Sequence, residues 1–332
     1  MPATILDVAK VSGFSKSTIS RAFTEPETVK PYTLEKILWA AKKLDYTPNA
    51  VARAMITKRT ENIGFIIYER QKPVISNPFY APILASIVQA TGERDYSLFI
   101  ASDTDIRLPS GETMLRKQVD GVIIASQTDT GTILSFRKKG IPVVLLNYHM
   151  DLDDLYCILS DDYGGVFSAV EYLAGRGHKN IGLLSGKFTP FIYSRRHKAY
   201  IDAMAKHGLQ PDYRFVQDVE PTIRDAYDLV HEMLMSENRP TALLCTNDSI
   251  AVGALKAAIR AGLSIPRDLS IIGYDNSDLC MVTEPELTSV DTDKNEMGRL
   301  TVEQLMKMIN GKVPEERIIT VGTKLILRGT SD

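Results

Sequence analysis

The sequence predicts two kinds of fold in one chain: an all-α head of helix-turn-helix type, then an α/β core of two doubly wound parallel-sheet subdomains. Three observations predict it. Two short amphipathic helices separated by Gly13 open the chain. From Ile63 onward, short runs of Val, Ile and Leu alternate with helical patterns, which is how parallel sheets covered on both faces are written. At 332 residues the chain is also too long for one ordinary core, and its 44% hydrophobic and 24% charged content is that of a globular protein.

In the head, Thr4 is a good N-cap with Asp7 three residues on, and Ile5, Val8 and Ala9 then recur on one helical face. Gly13 supplies the break. Ser15 caps a second helix in which Ile19, Ala22 and Phe23 point inward. Lys16, Ser17, Thr18, Ser20 and Arg21 are left outside, and all five are donors of the kind that phosphates and base edges accept. A third helix is expected over Thr33 to Leu44, with Leu34, Ile37, Leu38, Ala41 and Leu44 inward. So small a core is only marginally stable alone. Charge points the same way. The first 61 residues hold ten basic and six acidic side chains, a net +4, which leaves −6 on the other 271 residues of a chain whose net charge is −2. A basic head on an acidic body suits a polyanion such as double-stranded DNA.

After the head, Pro48 can open a short helix that Ala50 to Ile56 continue. One or two turns are not stable alone in water, so this stretch reads as a hinge. Strands are then expected at Ile63–Tyr68, Leu98–Ala101, Val122–Ala125, Val143–Leu146, Ile181–Leu184, Ala242–Cys245 and Ser270–Tyr274. The helices between them include Tyr80–Arg94, Tyr163–Gly175, Arg195–His207, Thr222–Met235 and Ile250–Ala261, with a late helix over Glu296–Ile309. Crossings between two sheets are expected at Ile158–Asp161, Leu287–Asp291 and Ile318–Gly322. The resulting division is a head over 1–47, a hinge and linker over 48–61, an N-subdomain over 62–160 plus 291–319, and a C-subdomain over 161–290 plus 320–332.

Ligands of open parallel sheets bind beyond the carboxyl ends of the strands. The residues there are Asn77 to Tyr80, Asn147 and Tyr148, the stretch 188–196, Thr246 to Asp248, and Asp275 with Asn276. Polar groups mixed with aromatics suit a sugar or a purine.

These residues resemble the lactose and galactose repressor family of bacterial transcription regulators over nearly the full length. The matching motifs are Asp7-Val-Ala-Lys-Val-Ser-Gly-Phe-Ser-Lys-Ser-Thr-Ile-Ser-Arg21, Leu44 to Arg53, Ile75 to Tyr80, Val119-Asp-Gly-Val-Ile123, Arg176-Gly-His-Lys-Asn-Ile-Gly182, Pro240-Thr-Ala242 with Asn247-Asp248, and Ile271 to Asn276. The resemblance implies a core like that of periplasmic sugar-binding proteins and a repressor of palindromic operators. In it, hinge helices fold when two of them meet in the minor groove, and a small effector, most simply a sugar or sugar derivative, acts on that equilibrium from between the subdomains. A nucleobase corepressor or a phosphorylated partner protein is the alternative.

The resemblance also assigns roles. Lys16, Ser17 and Arg21 fall where the family reads base edges, within a DNA-binding set completed by Thr4, Ser15, Thr18, Ser20, Asn49, Ala52, Arg53 and Met55. Ala52 would let two hinge helices approach, and Met55 stands where a leucine usually wedges between base pairs. The effector set is Asn77, Phe79, Tyr80, Asn147, Tyr148, Phe191, Arg196, Val219, Asn247 and Asp275. Arg196, Asp275 and Asn247 would grip hydroxyls or ring nitrogens, while Phe79, Tyr80 and Tyr148 would offer stacking faces. Asn147 departs from the usual aspartate. The segment from Thr104 to Gln118 looks shorter than the family's helix there. No leucine-heptad tail follows, so a homodimer is expected.

Other classes fit less well. No run of about eighteen apolar residues could span a bilayer and no export signal opens the chain, so a cytoplasmic protein is expected. Cys157, Cys245 and Cys280 read as buried thiols, and the five histidines show no metal-ligand spacing. No cofactor is expected. No G-x-G-x-x-G or P-loop follows a strand, and Ser185, His178 and Asp161 lack a nucleophile elbow, which argues against an enzyme.

Overall fold

Three helices make the head: α1 (Ile5–Ser12), α2 (Lys16–Thr24) and α3 (Pro31–Lys43). The computed structural model describes residues 3–47, 54, 59–68, 77–103, 110–125, 127–186, 190–236 and 238–331. It resolves into two compact units, Met1–Asn62 with Arg116–Asp120 and Ile63–Leu115 with Gly121–Asp332. The hinge helix expected over 50–56, with Asn49, Ala52, Arg53 and Met55, lies outside the described residues.

The start of α1 is fixed by Asp7, whose carboxylate accepts hydrogen bonds from the Thr4 backbone N–H at 3.0 Å and the Thr4 hydroxyl at 2.7 Å. Its end is fixed by Gly13, which sits at φ +77, a left-handed turn that a side chain would strain. The Ser15 hydroxyl accepts from Thr18 N–H at 3.2 Å and so opens α2. Val8, Ile19, Ala22, Ile37, Ala40 and Ala41 close the little core. Leu38, expected inward, is 46% exposed. The buried stripe of α3 runs through Ile37, Ala40 and Ala41, and Leu38, about 100° further round the helix than Ile37, falls beside it.

In the core, β1 (Asn62–Tyr68), β2 (Ser97–Asp103), β3 (Gly121–Ala125), β4 (Val143–Leu146), β5 (Tyr156–Ser160) and β11 (Ile318–Val321) form one sheet in the order β11-β5-β4-β3-β1-β2. The second sheet runs β12-β10-β9-β8-β6-β7, from β6 (Ile181–Gly186), β7 (Val216–Val219), β8 (Ala242–Cys245), β9 (Ser270–Tyr274), β10 (Thr288–Thr292) and β12 (Thr323–Ile326). Pairing is parallel from β6 through β10, and β12 alone in this sheet runs antiparallel, against β10.

The helices are α4 (Tyr80–Gly92), α5 (Ser110–Arg116), α6 (Thr130–Arg137), α7 (Asp162–Gly175), α8 (Pro190–Lys206), α9 (Ile223–Leu234), α10 (Asp248–Arg260) and α11 (Lys294–Ile309). Residues of α4 and α11 bury a core with β1, β3, β4 and β5, while α9 with α10 and α7 with α8 make two cores against the second sheet. Gly253 lets α10 approach α9 so closely that a Cβ there would lie 2.5 Å from the Ile223 carbonyl oxygen.

The chain passes between the sheets after Ser160, after Thr292 and at Gly322, and these crossings touch. The Ser160 and Thr292 hydroxyls are 3.1 Å apart, and Asp161 N–H donates to the Val321 carbonyl at 2.9 Å. Five strands exceed the seven expected, namely β5, β7, β10, β11 and β12. They are short and four of them mix Thr, Ser, Asp, Gln or Lys with the apolar residues, so no continuous hydrophobic run announces them. Helix α8 begins five residues before the expected Arg195, which puts Phe191 on the helix.

Candidate functional site

On the head, Lys16, Ser17 and Arg21 are exposed on one helix, whereas Thr18 and Ser20 are half-buried. The Ser15 hydroxyl sits 2.8 Å from the Ser17 and Thr18 hydroxyls, which gathers polar groups at the positive N-terminus of α2. Thr4 spends its polar groups on Asp7. Among the described residues, Lys16 and Arg21 have no hydrogen-bond or ion-pair partner, so both cations are free for an anionic partner.

In the core, the C-subdomain builds a buried polar cluster at the carboxyl ends of β6, β8 and β9. Arg196 is 4% exposed. Its Nε donates to the Asp162 carboxylate at 2.8 Å, its Nη2 lies 2.7 Å from the same oxygen, and its Nη1 donates to the Thr246 carbonyl at 2.5 Å. The guanidinium lies 4.1 Å from the centre of the Tyr274 ring. Burial opposes its charge, but Asp162, Tyr274 and Asp275 together outweigh this, so the guanidinium holds its proton more firmly than usual.

Asp275 follows Tyr274 at φ +98, and Asn276 at φ +46. This left-handed turn is costly for residues with a side chain, and it is held by its neighbours. Asn276 N–H donates to the Ser289 hydroxyl at 3.0 Å and Ser277 N–H to the Asp248 carboxylate at 2.7 Å, while Ser289 Oγ donates to Asp248 at 2.6 Å. Lys294 Nζ donates to the Asp275 carbonyl at 2.5 Å and the Thr292 carbonyl at 3.1 Å, which ties the loop to the second crossing. Burial pushes the Asp275 carboxyl up to about 8, with Arg196 pulling the other way. Burial raises Asp248 as well.

The opposite wall comes from the N-subdomain. Asn147, buried, turns the chain at φ +56 after β4, and the Tyr148 ring then meets the Phe191 ring of α8 at 6.0 Å. The His149 ring is also 6.0 Å from Phe191. Tyr148 and Phe191 are thus brought together between the two subdomains, and Arg196 and Asp275 lie together in the C-subdomain cluster.

Other expected residues serve the fold. The Asn77 carboxamide oxygen accepts from Phe79 and Tyr80 N–H at 3.0 and 3.1 Å, and Phe79 packs into the first core. Val219 belongs to the core beneath β7, and the Asn247 side chain caps α10 by accepting from Ile250 N–H at 2.8 Å. Asp248 lies among the residues expected beyond the strand ends, whereas Asp162, Tyr274, Ser289 and Lys294 are not in the expected set. A signal did exist for Asp162, an acid in the first turn of a helix that follows a strand end. Ser185, His178 and Asp161 form no triad, since Asp161 caps α7 and His178 meets Thr241 at 3.0 Å. All three cysteines are buried and free, and among the described residues no cluster of His, Cys, Asp or Glu could hold a metal. Nor is any described helix long and apolar enough to cross a membrane.

One chain thus joins a three-helix head, whose second helix exposes Lys16, Ser17 and Arg21, to a two-sheet core with a buried polar cluster. Residues 4–49 match the family of bacterial regulatory proteins, lacI family, and residues 170–331 match a periplasmic binding protein-like domain. The HTH-type transcriptional repressor PurR of Pasteurella multocida is 31% identical over 98% of both chains. In structure, the chain is similar to the Lac repressor dimer bound to operator and the anti-inducer ONPF (TM-score 0.86, 24% identity, 100% of this chain and 99% of that one). It is also similar to the transcriptional regulator CelR in complex with cellobiose (TM-score 0.76, 25% identity, 99% and 100%).

The chain belongs to the lacI family of bacterial regulatory proteins. Members of this family are DNA-binding transcriptional repressors with small-molecule effectors, not enzymes.

Proposed function

We propose that this protein is a repressor whose operator affinity is set allosterically by a sugar or sugar derivative bound between the core subdomains, and that it acts as a homodimer on a palindromic operator. The observations that carry the reading are the buried polar cluster around Arg196 and Asp275 and the contact of the Tyr148 and Phe191 rings between the two subdomains. Hydroxyl-rich rings are held in this way, by polar hydrogen-bonding groups at the rim and aromatic faces against the apolar side. The similarity to a regulator crystallised with cellobiose supports a sugar, and the similarity to a repressor dimer supports two copies on one operator. Lys16, Ser17 and Arg21 read base edges in this scheme, and Arg21 suits bidentate contact with guanine. A coupling free energy of about 1–3 kcal/mol between the cleft and the operator would change occupancy severalfold to a hundredfold.

The reading is tested by a thermal-shift screen of the full chain against sugars, sugar acids, sugar phosphates and purines, repeated on Asp275→Ala. Stabilisation by a sugar-class compound that disappears in the variant is the expected outcome. Stabilisation by a purine alone would overturn the sugar assignment.

A further inference from the structure

We propose that the cleft holds an anion subsite built on Arg195, so that the effector is an acidic sugar derivative carrying a carboxylate or a phosphate. The inference rests on the sugar-effector reading and narrows it.

The starting point is a cation without a counter-charge. Arg195 lies four residues after Phe191 on α8, so the two side chains share one helix face. Its guanidinium carbon is 5.6 Å from the centre of the Phe191 ring. That same ring meets Tyr148 and His149, each at 6.0 Å, and both belong to the other subdomain. Arg195 is therefore carried on the helix face that looks across the cleft. Its Nε is buried with no hydrogen-bond partner, and among the described residues no carboxylate pairs with it.

The neighbouring groups do not supply the missing charge. Asp162 is committed to Arg196 at 2.7 Å. Asp218 takes a hydrogen bond from the Tyr193 hydroxyl. Asp275, whose carboxyl is pushed up to about 8 by burial, makes no ion pair with Arg195. A guanidinium laid on an aromatic face keeps its edge of N–H donors open, and that edge matches carboxylate and phosphate oxygens two at a time. A buried donor with no acceptor is costly to fold, and a ligand oxygen would offset that cost. Arg196 is held rigid by Asp162 and the Thr246 carbonyl, so the two adjacent arginines divide the work: one positions hydroxyls, the other takes the acid.

The test measures binding to the full chain by calorimetry at constant ionic strength, using glucose, glucuronate, glucose 6-phosphate and inorganic phosphate as probes. It is run on the native protein and on Arg195→Gln and Arg195→Lys, with melting temperatures recorded to show that each variant is folded. At least one anionic probe should bind ten times or more tighter than glucose. Arg195→Gln should erase that advantage and Arg195→Lys should restore part of it. Preference for glucuronate alone identifies a sugar acid, and for glucose 6-phosphate a sugar phosphate. The proposal is overturned if no anionic probe shows Arg195-dependent binding. Binding of neutral sugars without an anion preference sinks this inference and leaves the sugar-effector reading standing. Arg195-dependent binding of inorganic phosphate with no sugar bound would keep the anion subsite but overturn the sugar part of both readings.

Discussion

Arg196 remains charged at 4% exposure because the Asp162 carboxylate is 2.7 Å away and the Thr246 carbonyl takes another donor. Such a pair is costly to break from one side, since the remaining partner is left buried and uncompensated. Arg196→Met should therefore destabilise the core by about 3–5 kcal/mol. The double variant Arg196→Met, Asp162→Asn should recover much of that loss. Denaturant unfolding of the four proteins in the cycle checks it, and equal stability of the single and double variants would contradict the pairing. Asp275 sets a pH dependence of definite sign. Its carboxyl is raised from 3.8 to about 8 in the folded chain, so between those values the native state binds more protons than the unfolded one. That contribution is complete below about pH 4 and fades as pH rises from there through 8, an effect of at most about 6 kcal/mol. Asp275→Asn should flatten the fall in melting temperature between pH 5 and 8, and an unchanged slope would show that Asp275 is not its source.

At the scale of elements, the head is the weakest part of the molecule, since its core consists of six small or medium side chains. Ile37, fully buried among them, should cost about 2–5 kcal/mol when cut to Ala. That is enough to unfold so small a unit. Hydrogen exchange should then show helices α1 to α3 unprotected while the strands of the core keep their protection, and concerted loss in both would argue against an independently stabilised head. The elements also show where sequence reading succeeds. The runs at Val143–Leu146, Ala242–Cys245 and Ser270–Tyr274 form strands with the bounds their composition predicts, because buried parallel strands must be almost wholly apolar. The mixed strands β10 to β12 give no such signal, since tertiary pairing across the crossings, not local composition, makes them extended. The candidate site divides in the same way. Arg196, Asp275, Tyr148 and Phe191 could be named from strand-end position and family resemblance. Lys294 could not, because its role arises from a contact between distant segments, its ammonium with the Asp275 carbonyl.

At the scale of the whole molecule, the helix proposed to read bases and the cleft proposed to bind the effector belong to separate compact units of one chain. Regulation therefore needs a coupling free energy between them, with each ligand changing the other's affinity by the same factor. Arg21→Ala should lose specific operator binding while keeping effector affinity, and Asp275→Ala should do the opposite. The most direct measurement is fluorescence anisotropy of a palindromic operator selected from random duplexes, titrated with the protein at zero and saturating effector. The account predicts an affinity change of roughly fivefold to a hundredfold in the native chain and none in Asp275→Ala, which still binds the operator. Identical affinity with and without a cleft-bound effector would contradict it.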